Sequence, residues 1–452
     1  MSSFDNTFNS NILPRYERLF HKHNDTPILT THKYALKERE DLTGFPSYII
    51  DPKGSTDADD GFFIYSTSDD EYMLGIVIAD PTHYFNTDSD IFRNALQNTQ
   101  TFYPSKTEPF HLMPNEVLNK ASLLPNDETE IKLAMVLLCN VNKENNLPYN
   151  PNIIPANVRV SKRTSFSYQE ASQLIDDDIT IMYGVNIGQA LKYKRTNGFS
   201  SMSDLKLSTP TFIDNKAQFV NDVFNVCLCK EMIAEFAIYF NSYVGNLLTN
   251  YYSRAIFRTY THTHNQTSDP KEILREIIND GKSAKYQSQK HNHSLVNVES
   301  YTHFTSPLRR VSDLIAHYLL KSALLEESSP FPIEELNNYS EIITQKGKNL
   351  KKIYYDDNKL RCLEAISNMH NEGKEVVIYF RYTQYTGLFA NFMIEKINEF
   401  DVSVSTSFRI PNFTNIIEYN TNPFHTIKIT RIGKLTKFDS DILPEMYNYI
   451  VN

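Results

Sequence analysis

The chain has 452 residues, 40% hydrophobic and 12% aromatic, enough to bury a sizeable core in one large domain with one or two small ones. Its 45 Lys and Arg against 54 Asp and Glu give a formal net charge of -9, which excludes a general attraction to a phosphate backbone, so any nucleic-acid site has to be local and walled. Four cysteines (Cys139, Cys227, Cys229, Cys362) without a C-x-x-C pair, a polar start MSSFDNTFNS, and no apolar run near the roughly 20 residues that cross a bilayer set the expectation: a soluble chain in a reducing compartment, the cytoplasm by default, with no membrane contact.

Residues 1–45 are short and polar. YIIDPKGSTDADDGFFIYS, followed by EYMLGIVIADPTHYF, predicts the strands of a hairpin or meander flanking an Asp-rich turn. IKLAMVLLCNV and IIPANVRV predict buried strands separated by the Asn-rich NKENNLPYNPN turn. Residues 219–249, free of proline and apolar on more than one face, predict a long buried helix. SPLRRVSDLIAHYLLKSALLEE predicts a second, with Pro307 in its first turn. Strands mixed with long helices make the class α/β, an α+β mixed sheet with long buried helices. In residues 371–452, EVVIYFRYT, GLFANFMIEKI, DVSVSTSF and HTIKITRIGKL have the spacing of a small OB-like β-barrel.

DPKGSTDADD places Asp51, Asp57, Asp59 and Asp60 within ten residues, with Gly54, Ser55 and Gly61 nearby to let the backbone turn. Converging carboxylates repel one another, and hard oxygen ligands grouped this way suit Mg²⁺ or Mn²⁺, whose charge favours the ionised forms. Two other readings stand beside this one. A Ca²⁺ loop lacks its bidentate Glu, since Phe62 occupies the twelfth position; a solvated acidic turn needs no ion at all.

YTHFTSPLRRVSDLIAHYLL brings Arg309 and Arg310, with Thr305 and Ser306, to the start of a helix. Guanidinium forks, hydroxyls and a helix N-terminus together make a phosphate grip. The competing reading is that one arginine pairs with Asp313 for structure alone. His303 and His317 flank the site as hydrogen-bonded structural residues rather than ligands.

These two constellations, about 250 residues apart and in this order, resemble the RNase II/RNase R (RNB-domain) family of 3′-to-5′ exoribonucleases, which includes the catalytic subunit of the eukaryotic exosome. REDLTGFPSYIIDPKGSTDADDGF, GIVIADPTHYF, TFYPSKTEPFHLMPNEVLNKASLLPND, VSKRTSFSYQEASQLI and MIAEFAIYFN also fall in family order, so the resemblance covers about residues 39–325. It implies a catalytic domain over 46–370 and the OB-like module over 371–452. It further implies two-metal hydrolysis of single-stranded RNA to nucleoside 5′-monophosphates, with Mg²⁺ held by Asp51, Asp57, Asp59 and Asp60. Asp59 aligns with the carboxylate on which catalysis most depends, and Arg309 with the arginine that holds the scissile phosphate. Tyr103 aligns with an aromatic that stacks on a terminal base, and Tyr168 with one that contacts the substrate near its ribose. Glu235, Ser306 and Arg310 complete the expected RNA contacts.

The chain also departs from the family pattern. Ala234 precedes Glu235 where the family has two glutamates at the start of its buried helix, and the first of these is the one implied in gripping ribose, so discrimination against DNA weakens. Met202 stands for a base-sandwiching phenylalanine, Val311 for a tyrosine and Asn98 for an arginine. The roughly 45 residues ahead of the catalytic domain are too few for a cold-shock barrel, which predicts weaker RNA capture and lower processivity. The family implies a monomer whose channel admits one strand; no motif points to a protein partner. Two alternatives to the active exoribonuclease are a catalytically weak RNA-binding subunit and a nuclease that also accepts DNA.

Overall fold

The computed structural model describes residues 3–23, 27–201, 204–205, 207–261, 270–280, 283–385, 389–409 and 424–428. The polar N-terminal stretch is helical: α1 (Ser3–Thr7) runs through a π-turn (Phe8–Ile12) into α2 (Leu13–Leu19). Phe8, Ile12 and Tyr16, spaced four apart, put their apolar side chains on one face, and all three are buried.

β1 (Glu40–Asp51), β2 (Asp60–Ser66) and β3 (Glu71–Ala79) form the expected meander, and the Asp-rich turn joins the first two. β4 (Thr129–Asn142) follows β3 antiparallel, and β5 (Pro148–Ser167) pairs with β4 and then, in parallel, with β1. The mixed sheet is thereby a closed five-stranded barrel. Register shifts at Leu42/Pro46 and Ser47/Ile49 stagger β1 against β5, and Pro46, which has no N–H to donate, falls at the first of them. Most of β3 and the middle of β4 are buried, because one face fills the barrel and the other lies under helices. Gly75 permits this packing, since a Cβ there would lie 2.2 Å from the Phe63 ring.

Between β3 and β4 lie α3 (Asp90–Asn98) and α4 (Asn115–Ala121). α5 (Tyr168–Gln173), α6 (Ile179–Thr196) and α7 (Phe224–Tyr251) come after β5. The ribbon β6–β7 (Thr211–Ile213, Lys216–Gln218) lies between α6 and α7. A second ribbon, β8–β9 (Phe257–Thr259, Lys285–Gln287), brackets α8 (Pro270–Asp280). α7 is the helix expected over 219–249. Ala234 and Glu235 therefore lie ten residues inside it rather than at its start.

α9 (Val311–Leu324) is buried over nearly its whole length. It begins four residues later than Pro307 predicts, with Arg310 as its N-cap residue. The cause is Asp313 in its first turn: its carboxylate accepts the Ser306 N–H at 2.8 Å, and so holds Ser306 to Arg309 as a turn outside the helix. α10 (Ile333–Asn371) ends beside the expected boundary at 370. Beyond it β10 (Val377–Tyr385), β11 (Phe389–Ile397), β12 (Phe400–Arg409) and β13 (Phe424–Lys428) form an antiparallel sheet in the order β12-β11-β10-β13. The remaining stretches of the expected OB-like barrel, 386–388, 410–423 and 429–452, lie outside the described residues. Among the described residues no helix is long and apolar enough to cross a membrane.

Candidate active site

The Asp-rich turn is fixed at both ends. β1 delivers Asp51 at its last residue, in register with Ser167, and β2 opens on Asp60 opposite Ile78. Gly54, at φ +85°, makes the reversal that an L side chain resists. Gly61 serves another purpose: a Cβ there would meet the Tyr48 carbonyl at 2.8 Å and the Ile49 side chain at 2.4 Å, so only glycine lets β1 and β2 approach beside Asp60. Ser122 Oγ accepts the Ala58 N–H (3.0 Å), Leu123 N–H donates to the Ala58 carbonyl (3.0 Å), and Ala79 N–H donates to the Asp59 carbonyl (2.8 Å).

Asp59, 6% exposed, meets the second constellation directly. Its Oδ1 accepts the Leu308 N–H at 2.7 Å and its Oδ2 accepts Arg309 Nε at 2.9 Å. Arg309 Nη2 donates to Ser306 Oγ at 2.8 Å, so Ser306 sets the angle of the guanidinium while its own amide is held by Asp313. Arg310 donates to Asp313 at 2.9 Å, the structural pairing considered for one of the two arginines. Its Nε is buried with no hydrogen-bond partner among the described residues.

Burial raises the Asp51 carboxyl to about 8, helped by repulsion from Asp60 and Asp59. Burial raises Asp59 to about 7 against the opposing pull of Arg309, and raises Asp60 to about 6 against Arg309 and Arg310. Asp51 Oδ2 is buried and takes no hydrogen bond from the described residues. A bare, enclosed carboxylate oxygen among repelling carboxylates suits a hard divalent cation, so the donor chemistry fits Mg²⁺ or Mn²⁺. The side chains are not drawn together as a ready-made cage: among the described residues no three acidic, His or Cys groups are gathered as a metal site.

Tyr103 and Tyr168 come to this cluster from different elements. Tyr103, 43% exposed, feels the charges of Asp57, Arg309 and Asp59, and burial pushes its phenol well above the ordinary range. Tyr168 opens α5, whose N-cap Ser167 makes a capping box with Glu170; burial raises its phenol too, with Asp60 and Asp51 next in effect. Lys230 lies 5.7 Å from the Tyr168 ring centroid. Glu235 is 1% exposed, and Arg195 takes both its oxygens, at 3.0 and 2.5 Å. Met202 lies outside the described residues. His317 stacks on Phe304 at 3.9 Å, and His303 Nδ1 lies 2.7 Å from the Tyr286 hydroxyl, the structural roles expected of both.

Sequence reasoning missed Asn241. Buried in α7, its Oδ1 accepts the N–H groups of Phe304 (2.7 Å) and Thr305 (3.2 Å), and its Nδ2 donates to the Tyr301 (3.2 Å) and Thr305 (3.3 Å) hydroxyls. It thus anchors the segment leading to Arg309. The signal was an amide on an otherwise apolar helix face.

A closed mixed barrel that presents an aspartate cluster to an arginine loop, under long helices, defines an RNB-type fold. The family model of the RNB domain matches residues 39–326, and the chain belongs to that family. It is 26% identical to Ribonuclease R of Chlamydia trachomatis over 369 residues, 70% of this chain and 52% of that protein. The chain spans about half the length of the curated relatives it matches. Among solved structures, Mycoplasma genitalium RNase R in complex with ribose-methylated single-stranded RNA superposes with a TM-score of 0.68 at 16% identity, covering 94% of this chain and 73% of that one. Yeast Ssd1, a pseudonuclease, superposes with a TM-score of 0.66 at 16% identity, covering 89% and 55%.

Proposed function

We propose that this chain is a 3′-to-5′ exoribonuclease that hydrolyses single-stranded RNA to nucleoside 5′-monophosphates. The observation that carries the reading is the Asp59–Arg309 pair, which joins the acidic turn to the arginine loop at one end of the barrel. Asp51, Asp57, Asp59 and Asp60 would hold two Mg²⁺ ions, which would supply positive charge at the phosphodiester and lower the pKa of a bound water enough to make it a hydroxide nucleophile. Arg309, propped by Ser306, grips a non-bridging phosphate oxygen and stabilises the charge that develops there. Tyr103, which feels Asp57 and Asp59, offers its face to the terminal base, and Tyr168, which feels Asp60 and Asp51, meets the sugar; stacking of this kind accepts any base. Arg310, engaged by Asp313, contributes positive field at Asp60.

Two alternatives each have an observation in their favour. Because Arg195 holds both Glu235 oxygens and Ala234 has no carboxylate, the ribose check is weak, which favours a nuclease that also takes DNA. The likeness to a pseudonuclease favours an RNA-binding chain that does not cut. Matched RNA and DNA oligonucleotides, digested in Mg²⁺ and analysed for products, separate the three. Mononucleotides from RNA alone support the proposal, release from both supports the relaxed nuclease, and intact but bound RNA overturns hydrolysis.

A further inference from the structure

The proposed base contact, Tyr103, is the first residue of a small closed loop, next to the pair that closes it. Phe102 and Phe110 exchange backbone hydrogen bonds at 3.0 and 2.9 Å, so the segment between them is a tied-off hairpin. On one side it is joined to the arginine segment: Thr101 N–H donates to the Arg309 carbonyl (3.0 Å) and Val311 N–H to the Thr99 carbonyl (2.9 Å). The other side rests on the N-terminal helices and α10. Tyr103 N–H donates to the Tyr354 hydroxyl at 3.0 Å. Asp357, 2% exposed, accepts from Ser105 N–H (3.0 Å), Ser105 Oγ (2.5 Å) and the Tyr16 hydroxyl (3.1 Å). Lys106 pairs with Asp5 at 2.8 Å and Arg15 with Asp356 at 2.6 Å. Asn98 and His21 exchange two hydrogen bonds of 2.8 Å, which tie the N-terminal segment to the end of α3. Phe102 is buried in a separate apolar cluster with Phe8, Ile12, Tyr16, Leu350 and Ile353.

We propose that α1, α2 and α10 form a brace that holds the Tyr103 loop in its RNA-receiving position, with Asp357 as the positioning residue at its centre. The inference rests on the reading that Tyr103 stacks on RNA. The physical reason is preorganisation: an aromatic on an untethered loop has to be ordered at each binding event, whereas one whose backbone is already fixed at Tyr103 and Ser105 loses little freedom on stacking. Asp357 is well suited to the task. A buried carboxylate that accepts three hydrogen bonds, from two segments distant in sequence, fixes their relative position more firmly than neutral contacts would.

The test uses the full chain with Asp357→Ala, Ser105→Ala and Tyr103→Ala, singly and with Asp357→Ala and Tyr103→Ala combined, after circular dichroism confirms folding. Binding of a fluorescein-labelled single-stranded RNA is followed by anisotropy in EDTA, and KM and kcat are measured in Mg²⁺. The brace predicts that Asp357→Ala raises Kd and KM roughly tenfold, the scale of one stacked base, with kcat close to wild type. Ser105→Ala gives a smaller shift in the same direction, and Asp357→Ala adds nothing in the Tyr103→Ala background. An equal loss in both backgrounds, or a folded Asp357→Ala protein that binds like wild type, overturns the brace while leaving the exonuclease reading intact. Wild-type affinity in Tyr103→Ala overturns the stacking role and the brace with it. The anisotropy arm decides the matter even for a chain that does not hydrolyse RNA.

Discussion

At the scale of single residues, three carboxyls with raised proton affinity lie within one turn. Asp51, Asp59 and Asp60 retain protons to about 8, 7 and 6, whereas in the unfolded chain they ionise near 4. Below about pH 6.5 histidines oppose this effect, since burial lowers His83, His293 and His317 to about 4 and the unfolded state then binds the extra protons. From about 6.5 to about 8 the raised carboxyls act, the folded state binds more protons, and stability falls as pH rises. Thermal melts in EDTA should show a falling Tm over that range. Added Mg²⁺ should offset the fall, most at the alkaline end, because it neutralises the ionised cluster; a Tm indifferent to both pH and Mg²⁺ would contradict this electrostatic account. Asp51, Asp57, Asp59, Asp60 and Arg309 could be read from the sequence because each constellation is contiguous and its chemistry is local. Asn241 and Asp357 could not, since their importance lies in partners 60 or more residues away.

At the scale of elements, the Asp-rich turn works because β1 and β2 approach without an intervening side chain at Gly61. Gly61→Ala should cost about 1–3 kcal/mol, the range for forced overpacking, measured as a lower urea midpoint. A midpoint equal to wild type would mean that the strands part without strain. The long helix over 224–251 was legible from a proline-free stretch apolar on more than one face, and the meander from the strand-like runs that flank the Asp-rich turn. The start of α9 was not, since Pro307 is a weaker determinant than the buried Asp313 carboxylate, which stops the helix at Arg310. The N-terminal helices were hidden for a different reason. Phe8, Ile12 and Tyr16 have helical spacing, but nothing in so polar a stretch reveals the apolar cluster shared with α10.

At the scale of the molecule, β3 and α9 are locked together by a buried ionic group. Asp80, the residue just past β3, is fully buried and meets Lys321 of α9 at 2.7 Å and Arg39 at 2.6 Å. Despite the opposing effect of burial, Lys321 and Arg39 hold its carboxyl below the ordinary range. Lys321 also donates to the Tyr34 carbonyl at 2.8 Å. Lys321→Met should cost about 3–5 kcal/mol by leaving Asp80 undercompensated, read from urea unfolding. A cost near zero would show that Arg39 alone suffices. Closure of the barrel was not legible, because it depends on the stagger of β1 against β5, set by irregularities that alternation in sequence does not reveal.

The central claim is that the acidic turn and the arginine loop together cut RNA. The most direct test incubates 5′-labelled single-stranded RNA with wild type and with Asp59→Asn, in Mg²⁺ and in EDTA, following both shortening and mononucleotide release. Stepwise shortening from the 3′ end that requires both the metal and Asp59 is the predicted result. RNA left intact, and bound equally by both proteins, would contradict it.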